Sequence, residues 1–121
     1  MARASVIVVK SLGYLVDGRI FPAPRSDADD QTVPYITYQT ISNVPVNTLD
    51  GYTGHDRVRV QIDVHTNTLS DAELLMHRVK HALNNADGSP QLDAMDTSRD
   101  PETRLWRASL DVFLSESIQH V

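Results

Sequence analysis

The stretch HDRVRVQIDVH, residues 55–65, decides the fold class of this chain. Val58, Val60, Ile62 and Val64 alternate in it with polar or charged residues. Because successive side chains of a β-strand point to opposite faces of a sheet, this alternation predicts a strand with one buried and one polar face. Such strands are typical of an antiparallel sheet that is covered on one side only.

The segment VPYITYQTIS, residues 33–42, predicts a second strand. Ile36, Tyr38 and Thr40 share one of its faces. Pro34 is expected at the start of this strand or on a sheet edge, because proline has no N–H to donate to a neighbouring strand.

Less regular patterns complete the predicted sheet. Residues 103–114 predict a strand, residues 91–97 a shorter one, and residues 19–21 an extended piece that a proline ends. The alternating apolar residues of the first of these are Trp106, Ala108, Leu110, Val112 and Leu114. Residues 43–47 predict a turn, and a short strand is expected around residues 48–49.

Residues 70–85 predict the clearest helix. Ser70 and Glu73 have the spacing of a capping box, in which each side chain bonds to the backbone N–H of the other residue. The apolar stripe of this helix consists of Ala72, Leu75, Met76, Val79, Ala82 and Leu83. Residues 5–16 fit a strand by their valine run and a helix by the spacing of their apolar residues; we favour the helix, ended at Gly18.

These elements together predict an α+β fold, with an antiparallel β-sheet of about four to five strands and helices packed on one face. A chain of 121 residues is expected to form a single domain, here residues 1–121. Within it, residues 23–32 predict a flexible acidic loop and residues 115–121 a loose C-terminal tail.

Composition excludes several functional classes. The formal net charge of −5 argues against general nucleic-acid binding, which needs clustered basic residues. The chain has no cysteine, which excludes disulfides and most structural zinc sites. No apolar run approaches the roughly 20 residues of a membrane-spanning helix. We therefore expect a protein that folds in the cytoplasm and has no membrane partner.

Catalytic and metal-binding motifs are not evident. His77 and His81 lie one helical turn apart, but Arg78 follows the first histidine where a zinc hydrolase has glutamate. No serine lies in a Gly-x-Ser-x-Gly turn, and the glycines do not form a phosphate-binding loop. We therefore predict no catalytic residue, no cofactor and no metal.

The order of several segments resembles the tail-completion or tail-terminator proteins of long-tailed bacteriophages. The resemblance runs from about residue 12 to residue 115, and its order and spacing are more specific than any single motif. The segments that carry it are DGRIFP, VPYITYQTIS, NTLDGYTGHDRVRVQIDVHTNTLSDAELLMHRVKHAL and RLWRASLDVFLS. The resemblance implies a structural virion protein at the head-proximal end of the tail, assembled in the host cytoplasm.

In such a family the subunits commonly form a ring of six that ends polymerisation of the tail tube. The implied partners are other copies of the chain, the tail tube protein and the head–tail connector or neck proteins. DNA would pass through the ring without specific binding. The predicted assembly residues are Leu49, Tyr52, His55, Arg57, Arg59, Asp63, Arg107 and Asp111. For the charged residues among them, the alternative is that they are ordinary solvated strand residues.

The acidic loop has a predicted role in the same ring. Asp27, Asp29 and Asp30 are expected to face the channel or its rim and to repel DNA phosphates over about one Debye length, ~8 Å. An ordinary solvated loop is the alternative for these residues. For the whole chain, the alternatives are a head-closure or neck ring component and a small soluble α+β enzyme or ligand-binding domain.

Overall fold

The computed structural model describes residues 3–24, 32–88 and 90–117. Within these ranges, two helices and five strands follow one another, with a 3₁₀ turn (Gly13–Val16) after the first helix. The elements are α1 (Ala4–Leu12), β1 (Ile20–Pro22), β2 (Tyr35–Thr48), β3 (Gly51–Thr66), α2 (Leu69–Asn84), β4 (Gln91–Arg99) and β5 (Trp106–Ser117).

The five strands form one sheet in the order β1-β2-β3-β5-β4. The β2–β3, β3–β5 and β4–β5 pairs are antiparallel, and the short β1 runs parallel to the beginning of β2. The predicted α+β class with a mostly antiparallel sheet is therefore confirmed.

The core lies between the two helices and one face of the sheet. Val58, Val60, Ile62 and Val64 of β3 are each at most 1 % exposed, as their alternation predicts. Their neighbours on β5 and the apolar stripe of α2 complete this core. Its other β5 and α2 members are Ala108, Leu110, Val112, Leu114, Ala72, Leu75, Met76, Val79 and Leu83.

The N-terminal segment is a helix, so the choice of helix over strand is confirmed. Ile7, Val8 and Leu12 are buried on the side of α1 that packs into the core, while Val6 and Val9 remain partly exposed. A strand would have placed alternate valines on one face; here the helical spacing matches the buried side instead. The chain then leaves the 3₁₀ turn through two consecutive residues with positive φ, at Asp17–Gly18.

The predicted capping box of α2 is wrong by two residues. The helix begins at Leu69, and its N-cap is Thr68, whose Oγ1 accepts a hydrogen bond from the backbone N–H of Asp71 at 3.1 Å. Ser70 lies inside the first turn and does not cap the helix. Both residues are followed three positions later by an acid, so the sequence pattern fits either position.

The prediction for residues 43–47 is also wrong. These residues continue β2, and the chain reverses only after Thr48, which pairs with Gly51. The separate short strand expected around residues 48–49 does not exist. Two register irregularities, between Thr40 and Ser42 and between Pro45 and Asn47, allow β2 to follow β3 despite the proline. Gly51 has φ +108°, which a residue with a side chain adopts only with strain.

The predicted C-terminal tail is wrong for residues 115–117. Residues 115–117 belong to β5, and the backbone N–H of Ser115 donates to the carbonyl oxygen of Gly88 at 2.8 Å. They are therefore not a loose tail, and residues 118–121 lie outside the described part of the chain. Most of the predicted acidic loop also lies outside it, including Asp27, Asp29 and Asp30.

Candidate assembly surfaces

The side of the sheet opposite the helices is the first candidate surface, which we call the open face. It carries the odd-numbered residues of β3 from Arg57 to His65 and the β5 residues that pair with them, from Ser115 to Arg107. No described helix or strand packs across these side chains. The predicted residues Arg57, Arg59, Asp63, Arg107 and Asp111 all lie on this face.

Arg59 and Phe113 occupy the centre of the open face. Arg59 forms an ion pair with Asp111 of the neighbouring strand, and their hydrogen bond raises the pKa of the guanidinium. The Phe113 ring lies beneath two cations, with the guanidinium carbon of Arg57 at 4.8 Å and that of Arg59 at 5.9 Å from its centroid. Such stacking fixes arginine side chains that would otherwise move freely in solvent.

The remaining open-face residues are also held by neighbours. Arg57 donates a hydrogen bond to the side chain of Gln91 on β4. Asp63 accepts one from Gln61 Nε2 at 3.2 Å, and Arg107 donates one to Ser98 Oγ at 3.3 Å. The open face is therefore a linked polar surface that spans β3, β5 and β4.

An aromatic cluster closes the end of the open face next to β1. The Tyr35 and His65 rings stack with their centroids 4.4 Å apart, and Phe21 packs against Tyr35 at 6.4 Å. The hydroxyl oxygen of Thr37 lies 3.0 Å from His65 Nε2. These contacts explain why Tyr35 and Thr37 are buried although their strand positions face away from the helices.

The second candidate surface is the protruding end of the β2–β3 hairpin, residues 41–54, which we call the arm. The pairing of β3 with β5 begins only at His55, so the arm extends beyond the rest of the sheet. Leu49 at its tip is fully exposed, and Tyr52 is 55 % exposed. The Tyr52 hydroxyl donates a 2.6 Å hydrogen bond to Asp56, which raises the pKa of this tyrosine and fixes its ring along the arm.

A family model described as tail completion protein gp17 matches residues 4–113. The chain belongs to this family. It is therefore a structural protein of a phage virion, located in the tail, as the resemblance implied.

A solved structure supports the fold of this tail completion family member. A chain of the structure "Virion of native gene transfer agent (GTA) particle" superimposes with a TM-score of 0.71, covers 95 % of both chains and is 14 % identical in sequence. At this identity the similarity concerns the fold. The comparison with curated proteins found no match.

The structure divides the predicted assembly residues of this tail completion protein into two groups. Leu49 and Tyr52 lie on the arm, whereas the five charged residues lie on the open face; His55 lies between them, where β3 joins β5. Tyr52 and Arg59 are separated by roughly 23 Å at the rise of an extended strand. These residues therefore form two surfaces rather than one site.

Sequence reasoning missed two parts of these surfaces. The alternation of residues 103–114 does not single out Phe113, although its ring lies beneath Arg57 and Arg59 in the structure. The exposed apolar side chains of Val44 and Val46 were missed because residues 43–47 were predicted to turn. The absence of any charged residue from 33 to 48 was a signal that an extended segment there contacts protein.

The helix side offers a smaller feature. A shallow groove between the 3₁₀ turn and α2 is lined by Tyr14, Leu15, His77, Arg78 and His81.

Within residues 3–24, 32–88 and 90–117, no three histidine or acidic side chains lie close enough together to hold a metal ion. In the same part of the chain no helix is long and apolar enough to cross a membrane.

Proposed function

We propose that this protein is the tail terminator: six copies form a ring that caps the head-proximal end of the tail tube. The ring ends tube polymerisation and joins the tail to the connector proteins of the head. The observation that carries this proposal is the family match over residues 4–113, which assigns a structural role in the tail. We propose no catalytic activity for the chain.

The arm is suited to contact the tail tube. A cyclic ring leaves two different rims, and a protruding hairpin reaches beyond the body of its own subunit. Leu49 and Tyr52 offer apolar and aromatic surface at its tip, and aromatic anchors carry much of the binding energy in protein interfaces. The hydrogen bond from Tyr52 to Asp56 orders this anchor before binding, which lowers the entropy lost on docking.

The open face is suited to line a channel for DNA. Its strand positions carry three arginines and three aspartates. These are Arg57, Arg59, Arg107, Asp63, Asp96 and Asp111. Arg59 is paired with Asp111, and Arg57 donates a hydrogen bond to Gln91, so part of the donor capacity of both guanidinium groups is already used. The proposed repulsion of DNA by Asp27, Asp29 and Asp30 concerns residues outside the described part of the chain.

Tube assembly in the presence of the purified chain tests the proposal. We expect negative-stain images to show tube protein of the same phage forming shorter tubes, each with a ring at one end. The substitution Tyr52→Ala should reduce the fraction of capped tubes by about tenfold or more, as expected for an interface anchor. Tyr14→Ala is the matched control, because Tyr14 is an exposed tyrosine on the helix side and should leave capping unchanged.

Two results would contradict the proposal. Tubes whose lengths and ends are unaffected by the chain exclude termination of the tube. Binding to the isolated head connector without binding to tube ends would instead identify a head-closure or neck ring component.

A further inference from the structure

The sheet has two edges without a neighbouring strand in the described part of the chain. β4 pairs only with β5, so its outer edge is open from Gln91 to Arg99. On the other side, β1 covers β2 only at Ile36–Tyr38. Among the described residues, no strand therefore pairs with the outer edge of β2 from Gln39 to Thr48.

The β2 edge lacks the charged side chains that commonly prevent strands from pairing with other chains. Residues 33–48 contain no charged side chain, and Ile41, Val44 and Val46 are 45 %, 56 % and 43 % exposed. Natural proteins protect long open edges with charges, bulges and prolines. Here Pro45 and two irregularities interrupt the edge, one of them between Thr40 and Ser42. The stretch from Gln39 to Val44 contains no proline, so each of its residues keeps its backbone N–H.

The β4 edge differs from the β2 edge because it carries acidic side chains. Asp93 and Asp96 are exposed on it, as are the apolar side chains of Leu92 and Met95, at 37 % and 47 %. Two β4 edges would bring aspartates of both copies together, which disfavours pairing of β4 with itself. An uncharged edge such as that of β2 does not have this conflict.

Strand directions allow the two edges to meet in a ring. β2 and β5 run in one direction, and β3 and β4 run in the other. Rotation about a ring axis that runs roughly along the strands preserves these directions, so β4 of one copy arrives antiparallel to β2 of the next. Without strand tilt, the register sets β4 level with residues 34–42 of β2, where β1 covers Ile36–Tyr38. The contact therefore requires a strand tilt that moves the incoming β4 by about five residues toward the arm, beside Gln39–Val44 and clear of β1.

We propose that β4 of each subunit pairs with the Gln39–Val44 edge of β2 in the next copy, so that the ring contains one continuous sheet. This inference rests on the proposed ring, and it identifies the contact that closes it. Pairing of β2 with β2 would be symmetric and would close a dimer instead. The apolar residues beside both edges would be buried together in the contact.

Edge pairing also connects the number of subunits to the width of the channel. Each subunit contributes four long strands, β2 to β5, with neighbouring strands spaced ~4.8 Å apart. A ring of six subunits then has a circumference of roughly 115 Å and a diameter of at least roughly 37 Å, which strand tilt increases. With the bulkier helix layer outside, the open face lines this channel.

A charge exchange between the two edges tests the inference without assuming a register. Ser42 is exposed, and its strand position lies on the open face, the side to which Asp96 also belongs. Ser42→Asp should raise the protein concentration needed for half-maximal ring formation about tenfold or more, because it places like charges across the contact. Asp93→Lys with Asp96→Lys should restore ring formation when combined with Ser42→Asp.

Light scattering measures ring formation in these variants, alone and in the presence of tube protein. Ser70→Asp is the matched control, since it makes the same change at an exposed position of α2. The melting temperature of each monomer verifies folding, and Gln39→Asp replaces Ser42→Asp if that variant does not fold.

Rings that form equally well in all variants overturn the edge contact but leave the terminator function intact. A wild-type chain that forms no ring, even on tubes, contradicts the terminator function itself.

Discussion

Arg59 shows how a single residue organises the open face. Its side chain is 37 % exposed, so its ion pair with Asp111, whose side chain is 18 % exposed, contributes only modestly to stability in water. Its main effect is geometric, because the guanidinium connects β3 to β5 and also covers the ring of Phe113. The orientation of several neighbouring side chains therefore depends on this one residue.

Thr68 provides a residue-scale prediction for α2. Thr68→Ala removes the oxygen that accepts from the backbone N–H of Asp71, and we expect it to lower the free energy of unfolding by about 1 kcal/mol. Ser70→Ala should change this free energy by less than about 0.5 kcal/mol, because Ser70 is exposed inside the first turn. Urea denaturation of both variants measures the difference. A larger effect at Ser70 than at Thr68 would restore the capping box predicted from the sequence.

At the scale of elements, β2 and β3 have a double role. The parts of both strands outside the arm contribute to the core together with β5, and the remaining parts form the arm, residues 41–54. The core parts have one face covered by helices, whereas residues 41–53 of the arm are nearly all exposed. The same hairpin therefore combines a rigid base with a surface available to partners.

The buried side of α2 gives a prediction at this scale. Leu83 is fully buried in the core, whereas Leu74 on the outer side of the same helix is 52 % exposed. Leu83→Ala should lower the free energy of unfolding by about 2–5 kcal/mol, through lost apolar burial and the cavity it leaves. Leu74→Ala should change it by less than about 0.5 kcal/mol. Similar losses for both variants in denaturant titrations would contradict the packing of α2 on the sheet.

For the whole molecule, a half-covered sheet with two open edges leaves much of its backbone and polar surface for partners. A single core of helices on one sheet face holds both candidate surfaces in a fixed relation. The proposed contact with the tube through the arm and the proposed contact between subunits through the edges therefore both depend on this one core.

If the chain is a single domain, as we propose, the monomer should unfold in a single cooperative transition. Calorimetry should give one peak with an enthalpy of roughly 85 kcal/mol near 60 °C, and the van't Hoff enthalpy should equal it. Measurement at a concentration below ring formation keeps assembly from contributing to the peak. Two resolved transitions would show that the chain consists of more than one folding unit.

The sequence by itself determined that α2, β3 and β5 form, and which of their faces are buried. Alternation in β3 and the apolar stripe of α2 are local patterns. Because side chains repeat every two residues in a strand and about every 3.6 in a helix, each pattern places its apolar residues on one side of the element, and that side is buried. Family resemblance, carried by the order of these segments, gave the tail role.

Only the tertiary structure decided the extent of β2, the parallel pairing of β1 and the contacts of the open face. Residues 43–47 have turn-like composition, yet pairing with β3 keeps them extended. Arg59 and Asp111 are far apart in sequence and meet only because β3 and β5 are neighbours in one register. Such contacts depend on which strands lie side by side, and a pattern that repeats every two or four residues carries no information about that choice.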